Sequence, residues 1–227
     1  MFSKFKELFS SENLLDSAYT TTVTMLEFDH KMYDAAFRAL RDTDSAEMPF
    51  DVKKMDRRIN KYEREVRRNV LTHLSVAGMT NLVPGLVLVS IVIDVERLGD
   101  YTKNIVDLAK RHPKKLKGGS HEELLHEMEE VINAQFPEAI QVLKDQDKSL
   151  AREIMLAENE IGKKASGIET DMIQGRHERL EGGDPVALAL YARYLKRINA
   201  HLTNIASAIV NPFPRISFRE KKKKPKT

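Results

Sequence analysis

The chain of 227 residues is long enough for one large or two small domains, and 41% of its residues are apolar against 31% charged and 7% aromatic. It contains no cysteine, which excludes disulfides and thiolate metal sites, so any metal must bind oxygen or imidazole ligands. Seven of the 37 basic residues lie in residues 215–227 beside one acid, which leaves the rest with a net charge of −3 and argues against a nucleic-acid-binding domain.

The first half of the chain predicts three helices. Residues 2–9 have the pattern of a short amphipathic helix, which packs on the bundle or docks on a membrane or a transporter helix. A helix of about 30 residues ends before the Met48-Pro49 break, a second ends near Gly78, and a third follows Pro84. The β-branched run at residues 86–93 alone could be a buried strand, but no other segment could pair with it as a sheet. We expect it to form the buried start of the third helix.

The second half predicts three more helices after a linker at residues 114–119. Ser120 and Glu123 have the spacing of a capping box, so the fourth helix is expected to begin there. The fifth covers about residues 147–178, and Asp184 with Pro185 predicts the N-cap and first position of the sixth. Residues 212–227 are expected to form a disordered basic tail with weak attraction to an anionic membrane surface.

The two halves resemble each other at an offset of 100 residues. Residues 95–100 fall on 195–200 and residues 103–105 on 203–205, with apolar positions matched and Arg, Asn and Ile recurring unchanged. We infer an internal duplication of a three-helix unit, which makes the predicted fold all-α with six long helices.

Two acids of the first copy do not recur in the second. Glu96 and Asp100 are four residues apart, so they stack on one face of a helix, where like charges repel. Such an acidic pair suits a hard cation, because Mg²⁺, Mn²⁺ and iron favour carboxylate oxygens. The second helix offers a stripe that can face it, consisting of Asp56, Asn60 and Glu63. The alternative is that this stripe is a solvated face on which Glu63 pairs with Arg67.

Two stretches resemble the signature motifs of the PhoU family of phosphate-uptake regulators. Residues 94–105 are similar to a helix that typically reads E-R-I-G-D-x-x-x-N-I, and residues 55–63 are similar to D-x-x-I-D/N-x-x-E. The resemblance implies two three-helix bundles side by side, at residues 1–113 and 120–211, in a chain that tends to form a homodimer. It also implies metal ligands at Glu96 and Asp100, with Asp56, Asn60 and Glu63 as further candidates.

The metal implied is Fe, Mn, Mg or Zn, in one site or cluster of the first bundle. The second copy departs from the motif, because Lys196 and Ala200 stand where the family has acids. On the fifth helix only Glu158 keeps an acid, at the position of Asp56. We predict that the second copy binds no metal and that Lys196 pairs with Glu158 instead.

The resemblance implies a regulatory adaptor and not an enzyme. Such an adaptor restrains phosphate uptake and signalling by contacting a membrane phosphate transporter or a sensor kinase. The lack of a signal-peptide pattern and of a bilayer-length apolar run predicts a cytoplasmic protein, and its expected partners and basic tail are compatible with a peripheral position at the inner face of the membrane. Two alternatives remain. One is a ferritin-like di-metal carboxylate enzyme using Glu27-x-x-His30 and Glu123-x-x-His126, and the other is a metal-free structural bundle.

Overall fold

The computed structural model describes residues 11–112 and 114–221, which fold into six long helices. No strand occurs in these ranges, so the run at residues 86–93 is helical. The predicted helix at residues 2–9 lies outside the described residues. The prediction of an all-α fold with six helices is confirmed. Numbered in chain order, the helices are α1 Ser11–Arg41, α2 Val52–Ala77, α3 Leu82–Arg111, α4 Glu122–Asp145, α5 Lys148–Ile173 and α6 Asp184–Val210.

Each half packs three helices around apolar stripes with helical spacing. In α3, Val95, Leu98 and Ile105 are fully buried, and so are the residues 100 positions later in α6. Spacings of three, four and seven residues place such side chains on one face of a helix, which is the face that enters the core. The agreement in burial between the two copies supports the internal duplication.

The two bundles lie side by side along α3 and α6. Asp94 accepts a hydrogen bond from Asn204 Nδ2 at 2.8 Å and lies 2.7 Å from His201 Nδ1. Arg197 Nε donates to the Tyr101 hydroxyl at 3.1 Å, so the two helices run antiparallel. The helices that carry the matching motifs therefore also join the two copies.

A second junction links α1 to α4 through a buried ion pair. Arg41 Nε donates to Glu129 Oε1 at 2.6 Å, and the side chains of these residues are 7% and 2% exposed. Arg41 also donates to the carboxylate of Glu122 and to the carbonyl of Leu116 in the linker. One guanidinium thus connects the end of α1, the linker and the start of α4.

The fourth helix does not begin with the expected capping box. A short 3₁₀ turn, Gly119–His121, precedes α4, and the Ser120 side chain caps neither element. Gly119 has a φ of 59°, a left-handed conformation that turns the chain just before Ser120. The Glu122 carboxylate accepts the backbone N–H of Gly118 instead. The capping-box prediction is therefore wrong.

Asp147 begins α5 as expected, accepting hydrogen bonds from the backbone N–H groups of Ser149 and Leu150. The helix ends at Ile173, about five residues earlier than predicted, because Gly175 adopts a φ of 72°. Asp184 is the first residue of α6 and does not cap it. Its carboxylate lies 2.8 Å from His112 Nε2 at the end of α3, a partner that the local sequence could not reveal.

Residues 212–221 differ from the expected disordered tail. After a short turn, Phe213–Arg215, the chain runs back over the second bundle. The backbone N–H of Ser217 donates to Ser207 Oγ at 2.8 Å, and Arg152 donates to both oxygens of Glu220 at 2.7 and 3.0 Å. Side chains of α5 and α6 thus form hydrogen bonds with this segment. Residues 222–227 lie outside the described residues. In the described part of the chain, no helix is both long and apolar enough to cross a membrane.

Candidate metal centre

The two predicted acidic stripes meet across the contact between α2 and α3. Lys103 Nζ lies 2.8 Å from Asp56 Oδ1 and 3.1 Å from Asp100 Oδ1, so one ammonium bridges the two helices. Arg97 donates to the other oxygen of Asp100 at 3.0 Å, and its Nε lies 3.7 Å from the Glu96 carboxylate. Burial lowers the pKa of Lys103, but its hydrogen bonds to the two carboxylates outweigh burial and raise it. The fold therefore brings Asp56, Glu96 and Asp100 to one place.

The other two predicted residues of α2, Asn60 and Glu63, do not contact Lys103, Glu96 or Asp100 through a hydrogen bond or ion pair within the described residues. Glu63 pairs with Arg67 at 2.7 Å, the contact expected of a solvated face, although the Glu63 side chain is only 14% exposed. Burial raises the pKa of Glu96, and the charges of Asp100 and Glu63 raise it further. Asn60 is half-buried, and its side chain makes no hydrogen bond within the described residues. Glu63 thus acts on the centre through space rather than by contact.

Asp29 of α1 belongs to the same cluster, although no sequence motif included it. It is fully buried, and neither carboxylate oxygen has a hydrogen-bond partner within residues 11–112 and 114–221. Burial raises the pKa of Asp29 well above its usual value, and the charges of Glu96 and Asp100 raise it further. The sequence signal was an acid in an apolar stripe, three residues after Leu26 and four before Tyr33.

Gly99 provides the space for Asp29. A Cβ atom at Gly99 would lie 2.9 Å from Asp29 Oδ1 and 3.1 Å from Ile59 Cδ1. Glycine in a helix interior costs about 1 kcal/mol relative to alanine, so its presence here is explained by the close approach of α1 and α2. The carboxylate of α1 thereby reaches the turn of α3 that carries Glu96 and Asp100.

The second copy holds a pair of amides at the corresponding place. Asn199 stands at the position of Gly99, and its Nδ2 donates to Gln135 Oε1 of α4 at 2.7 Å, with both side chains buried. Gln135 therefore occupies the position of Asp29. The amide pair satisfies these buried groups without any negative charge.

The predicted ion pair between Lys196 and Glu158 is not formed. Lys196 Nζ donates instead to Ser166 Oγ at 2.7 Å, and no contact within 4 Å joins it to Glu158 in the described part of the chain. Ser166 lies about two turns farther along α5 and is the residue that stands opposite Lys196. Around Lys196 the second copy therefore holds a hydroxyl group of α5 where the first copy holds carboxylates.

The carboxylate oxygens gathered in the first copy are the kind of ligand that a hard cation prefers. Burying an ionised carboxylate without a partner costs several kcal/mol, so Asp29, buried beside Glu96 and Asp100, favours its protonated form, and its pKa is raised. A cation next to these oxygens removes that cost, and oxygen donors suit Mg²⁺, Mn²⁺ and iron. In this arrangement, however, no three His, Asp or Glu side chains within the described residues are placed to hold a metal ion. Lys103 and Arg97 pair with Asp56, Glu96 and Asp100 instead.

The residues of the alternative di-metal motif do not meet. Glu27 pairs with Lys144 at 2.6 Å, and the ring of His30 stacks on Phe136 at 5.4 Å. His126 lies ten residues before Phe136, about 15 Å along α4, where it is exposed. The geometry gives no support to a metal centre that combines the two motifs.

The comparisons with known proteins concern both halves of the chain. A family model described as PhoU domain matches residues 22–109 and 125–209. The chain is similar to the crystal structure of PhoU from Pseudomonas aeruginosa, with a TM-score of 0.76, 19% identity, and coverage of 88% of this chain and 97% of that one. It is also similar to the phosphate transport system regulatory protein PhoU from Streptococcus pneumoniae, with a TM-score of 0.73, 16% identity and coverage of 88% and 95%. At these identities the two structures show a shared fold. No curated protein sequence matches the chain significantly.

Proposed function

Because the chain belongs to the PhoU family, we propose that it is a regulatory adaptor of phosphate homeostasis and not an enzyme. It restrains phosphate uptake or signalling by contacting a membrane phosphate transporter or a sensor kinase from the cytoplasmic side. The observation that carries this proposal is the family match to both halves, which covers most of each bundle. The similar protein from Streptococcus pneumoniae is itself described as a phosphate transport system regulatory protein. Family membership also supports a cytoplasmic homodimer.

The first copy has a cluster of acids where the second has an amide pair, and this difference supports a single metal centre in the first bundle. The residues that would hold it come from all three helices of that bundle: Asp29, Asp56, Asn60, Glu63, Glu96 and Asp100. A bound cation supplies positive charge that offsets the repulsion among these carboxylates. Because the ligands lie on α1, α2 and α3, metal binding stabilises the packing of the whole first bundle. The amide pair of Gln135 and Asn199 leaves the second bundle independent of metal.

The regulatory role is tested by deleting the gene in its source organism and measuring phosphate uptake at high external phosphate. We expect uptake or phosphate-starvation signalling to rise, and re-expression of the wild-type chain to restore restraint. A tagged chain should recover a phosphate transporter subunit or a sensor kinase from solubilised membranes. Unchanged uptake and signalling in the deletion strain would contradict the adaptor function.

A metal-free interaction bundle is the second candidate, and one observation favours it. Lys103 already pairs with both Asp56 and Asp100, which ties α2 to α3 without a metal ion. On this account the contact with the transporter or kinase persists after dialysis against a chelator. Loss of that contact on chelation, and its recovery on adding back metal, would exclude the metal-free candidate.

A further inference from the structure

The solvent side of α2 is strongly basic. The helix has eight basic residues against three acids, a net charge of +5, whereas α5, its counterpart in the second copy, has four against five. All eight basic side chains are exposed, and together they form what we call the basic face: Lys53, Lys54, Arg57, Arg58, Lys61, Arg64, Arg67 and Arg68. The excess of positive charge is therefore specific to the first bundle.

The basic face is one continuous stripe. Lys53, Arg57, Lys61, Arg64 and Arg68 follow each other at spacings of three or four residues, so they lie along one side of the helix for about 22 Å. Few of these charges have a partner among residues 11–112 and 114–221. The guanidinium of Arg67 pairs with Glu63, and that of Arg58 lies 4.3 Å from the Phe28 ring.

The remaining six basic residues of the face have no ion pair within the described residues. Glu65, four residues after Lys61, lies at the edge of this face. The large excess of positive charge on the face still creates a field that attracts a polyanionic surface. A solvated helix that only needed solubility would carry charges of both signs, as α5 does.

An exposed apolar tip continues the basic face at the turn between α2 and α3. It consists of Leu71, Val76, Met79 and Val83, which are 68%, 71%, 78% and 56% exposed. Leu71 lies three residues after Arg68 and seven after Arg64, on the same side of the helix. Four large apolar side chains within 13 residues form a patch that an apolar environment would cover.

We propose that the basic face and the apolar tip dock the chain on an anionic phospholipid surface. A straight row of exposed cations matches a planar array of anionic headgroups, and each basic residue near such a surface strengthens binding about fivefold. The apolar tip distinguishes lipid from nucleic acid, because side chains such as Met79 can enter the headgroup boundary whereas a phosphate backbone offers them nothing apolar. This surface lies on the first bundle and is separate from residues 212–221, which run over the second bundle.

The charge contribution is tested by co-sedimentation of the full chain with vesicles, which contain no protein and so test docking apart from the regulatory function. Vesicles of phosphatidylserine and phosphatidylcholine are compared with pure phosphatidylcholine. The variant R57Q/K61Q/R64Q/R68Q is expected to bind the anionic vesicles at least about 50-fold more weakly, because four charges that face the headgroups are lost. Circular dichroism confirms that the variant keeps its helices.

The matched control neutralises four lysines of the tail, in the variant K221Q/K222Q/K223Q/K224Q. The tail variant is expected to lose less than about fivefold, because the proposal assigns docking to the basic face and the apolar tip. An α2 variant that binds like the wild type, a tail variant that loses as much as the α2 variant, or no binding to anionic vesicles by the wild type would each overturn the proposal. The last outcome would assign the basic face to an acidic protein or a nucleic acid.

The apolar tip is tested separately with a fluorophore. The chain has no cysteine, so Met79→Cys gives a single labelling site in the tip. Ile173→Cys is the control, because Ile173 is 84% exposed at the end of α5. The next helix, α6, begins against the end of α3, where Asp184 contacts His112, whereas the tip lies at the start of α3. We expect anionic vesicles to shift the emission of the Met79 label to shorter wavelength and brominated lipid to quench it, with little change at residue 173. An unchanged Met79 label, or equal changes at both sites, would overturn insertion of the tip.

Discussion

At the scale of single residues, Asp29 is a buried carboxyl group of the first bundle that has no hydrogen-bond partner within the described residues. Its carboxylate is fully buried beside Glu96 and Asp100, and its pKa is raised by burial and by those two charges. A folded-state pKa above the unfolded value means that the folded chain binds a proton which the unfolded chain releases as the pH rises. The free energy of unfolding of the metal-free chain therefore falls as the pH rises from the usual aspartate range through the raised pKa.

The substitution Asp29→Asn removes this dependence. In the presence of a chelator, we expect the wild type to lose up to about 1.4 kcal/mol of unfolding free energy for each pH unit in that window. The variant is expected to show a flatter profile and to be more stable than the wild type at neutral pH. Urea denaturation at a series of pH values measures both. Parallel profiles for the two proteins would mean that Asp29 does not titrate in this way.

Asp29 also shows what the motifs could and could not reveal at this scale. Glu96 and Asp100 were recognisable because two acids four residues apart form a local pattern, and Asp56 because it belongs to a known motif. Asp29 is a lone acid among apolar residues, and its role depends on the space left by Gly99, 70 positions away. Only the packing of α1 against α3 connects the two.

At the scale of helices, the register of α1 on α3 and of α4 on α6 is the same, but the contact chemistry differs. The first copy places a carboxylate against a glycine, and the second places Gln135 against Asn199. The helices themselves were predictable because an amphipathic stripe is a local property of the sequence. The start of α4 was not, since Gly119 and Glu122 together displaced the expected cap at Ser120.

The equivalence of the two copies is tested by converting the first contact into the second. Gly99→Asn alone is expected to cost about 1–3 kcal/mol of unfolding free energy, because its Cβ would collide with Asp29 and Ile59. Adding Asp29→Gln should recover most of that loss, since the pair then reproduces the amide contact of the second copy. Urea denaturation of the two variants gives the comparison. A double variant no more stable than Gly99→Asn would contradict the equivalence.

At the scale of the whole molecule, the bundles are joined by contacts between residues far apart in the chain. Arg41 and Glu129 are 88 positions apart and are both buried, so no local pattern could have predicted their pairing. Burial raises the pKa of Glu129, and the charge of Arg41 lowers it only in part. Removing Arg41 therefore leaves a buried carboxylate without its cation.

The substitution Arg41→Met is expected to reduce the unfolding free energy by about 3–5 kcal/mol, because Glu129 then lacks a charged partner. A second substitution, Glu129→Met, should restore much of this loss. The matched control is Lys144→Met, which removes the half-exposed pair with Glu27 between the same two helices and should cost at most about 1 kcal/mol. Equal losses for Arg41→Met and Lys144→Met would show that the buried pair does not join the bundles.

The central claim is that one metal centre in the first bundle serves a regulatory adaptor. It is tested most directly by elemental analysis of the chain purified without chelator and reconstituted with Fe, Mn, Mg or Zn. We expect metal in the wild type, none in the variant E96A/D100A, and an unchanged amount in a second-copy control such as Glu158→Ala. Absence of metal from the reconstituted wild type would contradict the claim, and so would its retention by E96A/D100A.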